Sequence, residues 1–208
     1  VSLVLYGNRE SGHSYKVRLL LTLAGISHEY VHIDLEVPRS GRPAAFRAAS
    51  RFGEVPVLVR DDGSALVQSN AILLHLARDR GRFGPPRGAT WDDLTSWLFW
   101  EANRVGFSVP NLRAARFRGD TPADVMAWLE ARVIDDLGVL DGQVGARPFL
   151  LGDAPCVVDV ACCAYLFWPE QAGIDLSRWP AVAAWLERIA ALPGYKPPYA
   201  LMSPPAGP

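Results

Sequence analysis

Two short stretches decide the fold: Glu54-Val55-Pro56-Val57-Leu58 and, shortly after, Gln68-Ser69-Asn70-Ala71-Ile72. The first reads as a proline entering a strand, the second as the start of a helix. Between them Asp61-Asp62-Gly63 separates the apolar runs at 57–59 and 65–67, a strong signal for a hairpin turn. A cis bond between Val55 and Pro56 would turn the N–H and C=O of Val55 outward, toward an extended peptide backbone. A helix beginning at Ser69 aims N–H groups and a hydroxyl at a carboxylate. The pair together suits one small peptide with a backbone at one end and a free α-carboxylate at the other.

Working outward, residues 1–6 read as a buried strand that ends at Gly7-Asn8. A polar loop follows. A helix is expected from about Ser14, with Val17, Leu19, Leu20, Leu21 and Leu23 as its apolar side and Gly25 as its stop. Residues 28–33 alternate as a strand, and 44–48 allow a short irregular helix in a segment rich in proline and small residues. The order β-α-β-α-β-β-α is a βαβ unit followed by a hairpin and a helix.

Gly81 to Ala89, with Pro85-Pro86, is the best linker in the chain. Strand patterns vanish beyond it. Helices are expected near 90–117, 122–144, 156–171 and 180–191, with Pro110 bending or breaking the first. The proline-rich end, 192–208, reads as an extended tail. The expected layout is thus an α/β domain over 1–80, a linker over 81–89, an all-helical domain over 90–191, and the tail.

Composition narrows the classes. Half of the 208 residues are hydrophobic and the formal net charge is -1, so no basic field argues for nucleic acid. Cys156, Cys162 and Cys163 form neither a C-x-x-C nor a metal-ligand spacing, so no metal is expected. An odd, scattered set of thiols fits a reducing compartment better than a disulfide framework. No apolar run reaches bilayer length, and the first residues do not read as a signal peptide. These features point to a soluble, cytoplasmic protein with no membrane partner.

The layout and its motifs resemble the cytosolic glutathione transferases, nearest to the bacterial Nu, theta and beta-like classes. The resemblance rests on Val55-Pro56, on residues 68–73, on Ser11-Gly12-His13-Ser14-Tyr15-Lys16-Val17-Arg18 after the first strand, and on residues 152–159. Each motif alone is weak; their order and spacing carry the match over nearly the whole chain. It implies a thioredoxin-like N-terminal domain, a helical C-terminal domain and a homodimer. Arg51 and Phe52 are candidates for that interface.

Glutathione is the co-substrate the resemblance implies, with Val55 and Pro56 pairing to its cysteinyl segment and Gln68 and Ser69 taking the γ-glutamyl end. Many bacterial relatives carry Glu where Gln68 stands, so no ion pair with the ligand ammonium comes from this position. Serine is also an ordinary N-cap, which alone would explain Ser69. A hydroxyl that donates to the glutathione sulfur near a helix N-terminus lowers the thiol pKa. Ser11 stands where that hydroxyl is needed. His13 is the accessory candidate, as donor or base; Tyr6 and Ser14 are weaker ones.

The resemblance also makes the first helix of the second domain a wall for an apolar electrophile, with Trp100, Arg104 and Phe107 as pocket candidates and Phe117 and Trp168 behind them. Cys162-Cys163 is expected to be core, and Asp159 a helix cap in which Cys156 replaces the usual Ser or Thr. Three activities follow: thiolate attack on an electrophile, disulfide or peroxide reduction of the Nu-class type, or ligand binding without turnover. A zeta-type isomerase is less attractive, because its Ser-Ser-Cys motif is Ser11-Gly12-His13 here.

Overall fold

A computed structural model describes residues 3–203. The chain divides into two compact units. One holds the described residues up to Gly81 together with those from Pro193 on; the other runs from Arg82 to Leu192.

In the first unit, strands β1 (Leu3–Gly7), β2 (His28–His32), β3 (Val57–Val59) and β4 (Ala65–Val67) form one sheet in the order β2-β1-β3-β4. β2 runs parallel to β1, β3 antiparallel to β1, and β4 antiparallel to β3. Leu5 stands opposite both Tyr30 and Leu58, and all three are buried. Helix α1 (Gly12–Leu23) supplies the crossover that a parallel pair requires. It buries side chains on nearly every face, as a helix packed on several sides should. Its neighbours include β1 and α3 (Ser69–Arg80). A short α2 (Ala44–Ala49) seats Phe46 against Ile33 and Val57.

The end of the chain departs from the extended tail the sequence suggests. Residues 193–203 lie in the first unit, where α9 (Pro198–Met202) packs on α1 with Leu201 and Met202 buried. Proline at a first helical position loses no bond, and two large apolar side chains follow it. Tyr15 Oη donates to the Lys196 carbonyl at 3.0 Å, Arg18 donates to the Leu201 carbonyl, and Tyr199 Oη donates to the Glu10 carboxylate at 2.8 Å. Residues 204–208 of the expected tail, like 1–2 of the expected first strand, lie outside the described residues.

The second unit is helical: α4 (Trp91–Asn103), α5 (Val105–Arg118), α6 (Ala123–Gly145), α7 (Val157–Cys163) and α8 (Pro180–Ala190). Every residue of α7 is buried, and α4 and α5 both pack on it. The segment leading into α4 belongs to this unit, tied by the Val157 N–H to the Phe83 carbonyl at 2.9 Å.

The break expected at Pro110 falls six residues earlier, at Arg104 (φ -111°, ψ -106°), and Pro110 sits inside α5. Two features explain the shift. A Cβ on Gly106 would come within 2.3 Å of Glu101 Oε1, so the tight turn admits only glycine. Arg104 Nε reaches the fully buried Asp136 of α6 at 2.6 Å, and Ser108 Oγ donates to the same carboxylate at 2.5 Å. Pro110 merely lacks the N–H that would reach the Gly106 carbonyl. The expected helix over 156–171 is also shorter. α7 ends at Cys163 and continues as 3-10 turns at 164–167 and 170–172, because Pro169 disfavours helical backbone at Trp168 (φ -126°, ψ 49°). Among the described residues no helix is long and apolar enough to cross a membrane.

Candidate functional site

The residues singled out in the first unit lie at three turns: one after β1, one just before β3 and one after β4. Ser11 is the N-cap of α1, in extended backbone (φ -96°, ψ 110°), and its Oγ accepts from the Ser14 N–H at 3.1 Å. A hydroxyl has one proton and two lone pairs, so capping leaves the Ser11 proton available to a second partner. The loop that presents it is built by Asn8, which the sequence did not flag. Asn8 Nδ2 donates to the Ile33 carbonyl at 2.8 Å, its Oδ1 accepts from the Glu10 N–H at 2.8 Å, and its carbonyl accepts from the Ser11 N–H at 3.1 Å. Ser14 is buried and accepts from the Asn8 N–H at 3.2 Å, a structural role.

His13, in the first turn of α1, is held neutral. Burial first, and then the charge of Lys16, lower its pKa from 6.5 to about 3. An imidazole of that pKa is a poor base near neutrality and offers a thiolate no positive charge. Its remaining use is as a neutral hydrogen-bond donor. Tyr6 is turned into the core, its ring 5.7 Å from that of Phe46.

The Val55-Pro56 bond is cis. Among the described residues no hydrogen bond engages the N–H or the C=O of Val55. The preceding residue is fixed from behind: buried Ser50 donates through Oγ to the Glu54 carbonyl at 2.9 Å.

At the start of α3 the structure rearranges the roles expected from sequence. The N-cap position is held by Gln68, not Ser69, and its side chain makes no capping bond. Gln68 has φ 70° and ψ 115°, a left-handed φ that costs a non-glycine residue about 1–3 kcal/mol. Ser69 is the first helical residue, nearly buried, and no hydrogen bond engages its hydroxyl among the described residues. The first N–H groups of a helix have no intrahelical acceptor. α3 therefore begins with a hydroxyl that no bond engages among the described residues and with the positive end of its dipole, which together suit a carboxylate.

These turns are linked. The Lys16 ammonium, 1% exposed, donates to Asn70 Oδ1 at 2.7 Å and so ties α1 to the first turn of α3. Gln68 Nε2 lies 3.4 Å from the Glu54 carboxylate, which ties α3 to the residue before Val55. Ser11, Val55, Gln68 and Ser69 thus belong to elements bound to one another within one unit. Lys16 and Glu54 stand within the motifs quoted from the sequence, but the ties they make are not legible there; a lysine among leucines signals burial only once the helix is known to be covered on several sides.

The candidates of the second unit part company. Trp100 stacks edge-on to Trp97, with ring centroids 5.1 Å apart. Arg104 is committed to Asp136, as described above. Phe107 is exposed and meets Trp128 at 6.1 Å, with the Arg132 guanidinium over both rings. Phe117 is exposed, whereas Trp168 is buried beneath Arg113. All three cysteines are buried in this unit; burial and the adjacent Asp159 push the Cys156 thiol well above its ordinary pKa. No thiol of the chain lies near Ser11 in sequence or in its unit. Among the described residues no group of three or more His, Cys, Asp or Glu side chains could hold a metal ion.

Comparison with known proteins agrees with the fold. Residues 5–86 match the family model for the glutathione S-transferase N-terminal domain, and residues 122–193 match that for the glutathione S-transferase C-terminal domain. A crystal structure of a glutathione S-transferase from Xanthobacter autotrophicus is 34% identical, covers 94% of this chain and 96% of its own, and superposes with a TM-score of 0.83. The chain belongs to the glutathione S-transferase family. Within that family its relatives differ in chemistry. A maleylacetoacetate isomerase of Pseudomonas aeruginosa is 29% identical over 92% of this chain and 93% of its own. The disulfide-bond oxidoreductase YfcG of Escherichia coli is 28% identical over 87% of each.

Proposed function

We propose that this protein is a glutathione-dependent transferase in which Ser11 holds the glutathione thiolate for attack on an apolar electrophile. In this reading the γ-glutamyl carboxylate lies on the Ser69 hydroxyl and at the N-terminal end of α3. The cysteinyl backbone pairs with the N–H and C=O of Val55 beside Pro56. The single observation that carries the reading is the start of α3, where a strained Gln68 leaves Ser69 uncapped and its hydroxyl unused. A helix terminus kept open at an energetic cost is supported by what it binds.

The thiolate is the nucleophile, and a free thiol is mostly protonated near neutrality. The Ser11 proton, donated to sulfur at the N-terminus of α1, favours the charged form and lowers the thiol pKa. His13 is too weakly basic to take the thiol proton, so that proton leaves to solvent as glutathione binds. Sulfur then attacks the electrophilic carbon, a C–S bond forms, and the leaving group departs with its bonding pair. The test is the ultraviolet thiolate absorbance of bound glutathione against pH. Ser11→Ala should raise the apparent thiol pKa by about one unit and slow turnover on an aryl halide about tenfold, the loss expected for one hydrogen bond to a charged atom. An unchanged pKa and rate would remove Ser11 from this role.

A second reading keeps the site and changes the reaction, and the likeness to the disulfide-bond oxidoreductase favours it. A glutathione thiolate would open a substrate disulfide to give a mixed disulfide and a free thiol. A second glutathione would then release the second thiol and leave oxidised glutathione. Turnover on a small disulfide compared with turnover on an aryl halide separates the two. The reading carries with it a cytoplasmic homodimer, for which sedimentation at micromolar concentration is the check.

A further inference from the structure

Glu10 and Ser11 are neighbours on one loop and have opposite effects on a thiolate. A proton donated by Ser11 favours a negative sulfur, whereas a carboxylate close by disfavours it. Helix α1 has no acidic residue in its first turn, so Glu10 is the anion nearest to Ser11 in the chain. Asn8 fixes the backbone of both, accepting from the Glu10 N–H at 2.8 Å and from the Ser11 N–H at 3.1 Å. The Glu10 side chain is held by two groups. Tyr199 Oη donates to its Oε2 at 2.8 Å, and Arg9 Nε lies 3.5 Å from its Oε1. The Arg9 guanidinium also lies over the Tyr199 ring, 5.1 Å from the centroid, so the three side chains form one cluster. Tyr199 is 189 residues from Glu10 in sequence and is carried there by α9, whose Pro198, Leu201 and Met202 are buried. Of the cations of α1, Lys16 faces Asn70, and Arg18 faces the Leu201 carbonyl and the Tyr30 ring; His13 is neutral, and Lys196 before α9 is exposed.

We propose that Tyr199 is a positioning residue for the thiolate: its hydroxyl holds the Glu10 carboxylate against α9 and keeps that charge off the sulfur bound at Ser11. This rests on the Ser11 reading above and deepens it. The hydroxyl and the guanidinium each take up part of the carboxylate's charge, as donors to an ionised acceptor do. Without the hydroxyl the half-exposed side chain gains rotamers, and some of them bring the carboxylate toward the sulfur. Tyr199 acts through Glu10 and not on the reacting atoms. The docked end of the chain thereby tunes the loop that presents Ser11.

The test reads the ultraviolet thiolate absorbance of bound glutathione against pH for the wild type, Tyr199→Phe, Glu10→Gln and the double variant, with Ser11→Ala as the reference. Phenylalanine keeps the ring under Arg9 and glutamine keeps the shape of Glu10, so both variants should fold, and melting temperatures verify this. Tyr199→Phe should raise the apparent thiol pKa by about half a unit, and Glu10→Gln should lower it by about as much. In the Glu10→Gln background Tyr199→Phe should leave the pKa unmoved, since no charge remains to be held. Below the thiol pKa, kcat on an aryl halide should follow the thiolate fraction, falling about threefold for Tyr199→Phe at an unchanged KM for glutathione. A thiol pKa that Glu10→Gln leaves equal or raises overturns the proposal, as does an equal effect of Tyr199→Phe in both backgrounds. In either case a raised pKa in Ser11→Ala leaves the Ser11 reading standing. A wild type that forms no thiolate from glutathione overturns both.

Discussion

Two helix starts in this chain have opposite fates. At α7, Asp159 is fully buried and accepts from the N–H groups of Leu150 and Cys156, from Trp185 Nε1 and from the Cys156 thiol, at 2.8, 2.9, 3.0 and 3.4 Å respectively. A thiol completes the capping box where serine or threonine is usual. At α3, Ser69 has the residue type of a cap and does not act as one; the strained Gln68 takes the cap position, makes no capping bond and leaves the Ser69 hydroxyl unengaged among the described residues. The first terminus is closed from every side and holds the helical unit together. The second costs stability and is left available. The comparison teaches that residue type at a helix start does not separate a structural end from a binding end; satisfaction of its donors does.

The largest expected effect breaks the closed end. Asp159→Ala leaves several buried donors without an acceptor and should cost about 4 kcal/mol, read as a lower denaturant midpoint at unchanged slope. It should not alter the affinity of the first unit for ligand in whatever fraction stays folded.

The next effect concerns the third helix start, that of α1. The folded-state pKa of His13 is about 3 against 6.5 for the free imidazole. Between these values the unfolded chain binds the extra proton, so stability is full above about pH 6.5 and falls as pH drops, by about 1.4 kcal/mol per unit. His13→Asn should flatten that part of the stability profile between pH 6.5 and 5. An unchanged slope would mean that the imidazole is not buried in its neutral form.

The open end should respond in the reverse sense to the closed one. Ser69→Ala should change stability by less than about 0.5 kcal/mol, as no bond within the chain is lost, yet weaken glutathione binding about tenfold. Gln68→Gly relieves the left-handed backbone and should stabilise the chain by about 1 kcal/mol while weakening the ligand. The smallest effect sharpens the contrast from the other side. Cys156→Ser restores a hydroxyl to the box at α7 and should move stability by less than about 1 kcal/mol, with no effect on ligand.

Much of the first unit was legible because its signals are local. Alternating strands, the Asp61-Asp62-Gly63 turn and the leucines of α1 report burial within one element. The parts that were not legible depend on partners distant in sequence. Pro110 is the strongest helix breaker in its segment, but the break belongs to Gly106 and to the grip of Asp136 on Arg104, 32 residues away. That grip also withdraws Arg104 from the residues free to line a pocket. The prolines near the end suggested an extended tail, whereas Leu201 and Met202 decide its docking on α1. At the candidate site, Ser11, Val55, Gln68 and Ser69 were found by motif. The roles of Asn8, Lys16 and Glu54 were not, since each acts through a bond that closes only in three dimensions.

The central claim is that the open end of α3 binds a γ-glutamyl headgroup, and the most direct measurement is a thermal-shift titration with reduced glutathione, oxidised glutathione and an S-alkyl conjugate. Ligand at about a hundred times its dissociation constant should add about 2.7 kcal/mol and raise the melting temperature of the wild type. The same titration with Ser69→Ala, whose unliganded melting temperature should match the wild type, should give a smaller rise for every form. No shift of the wild type with any of the three would contradict the account.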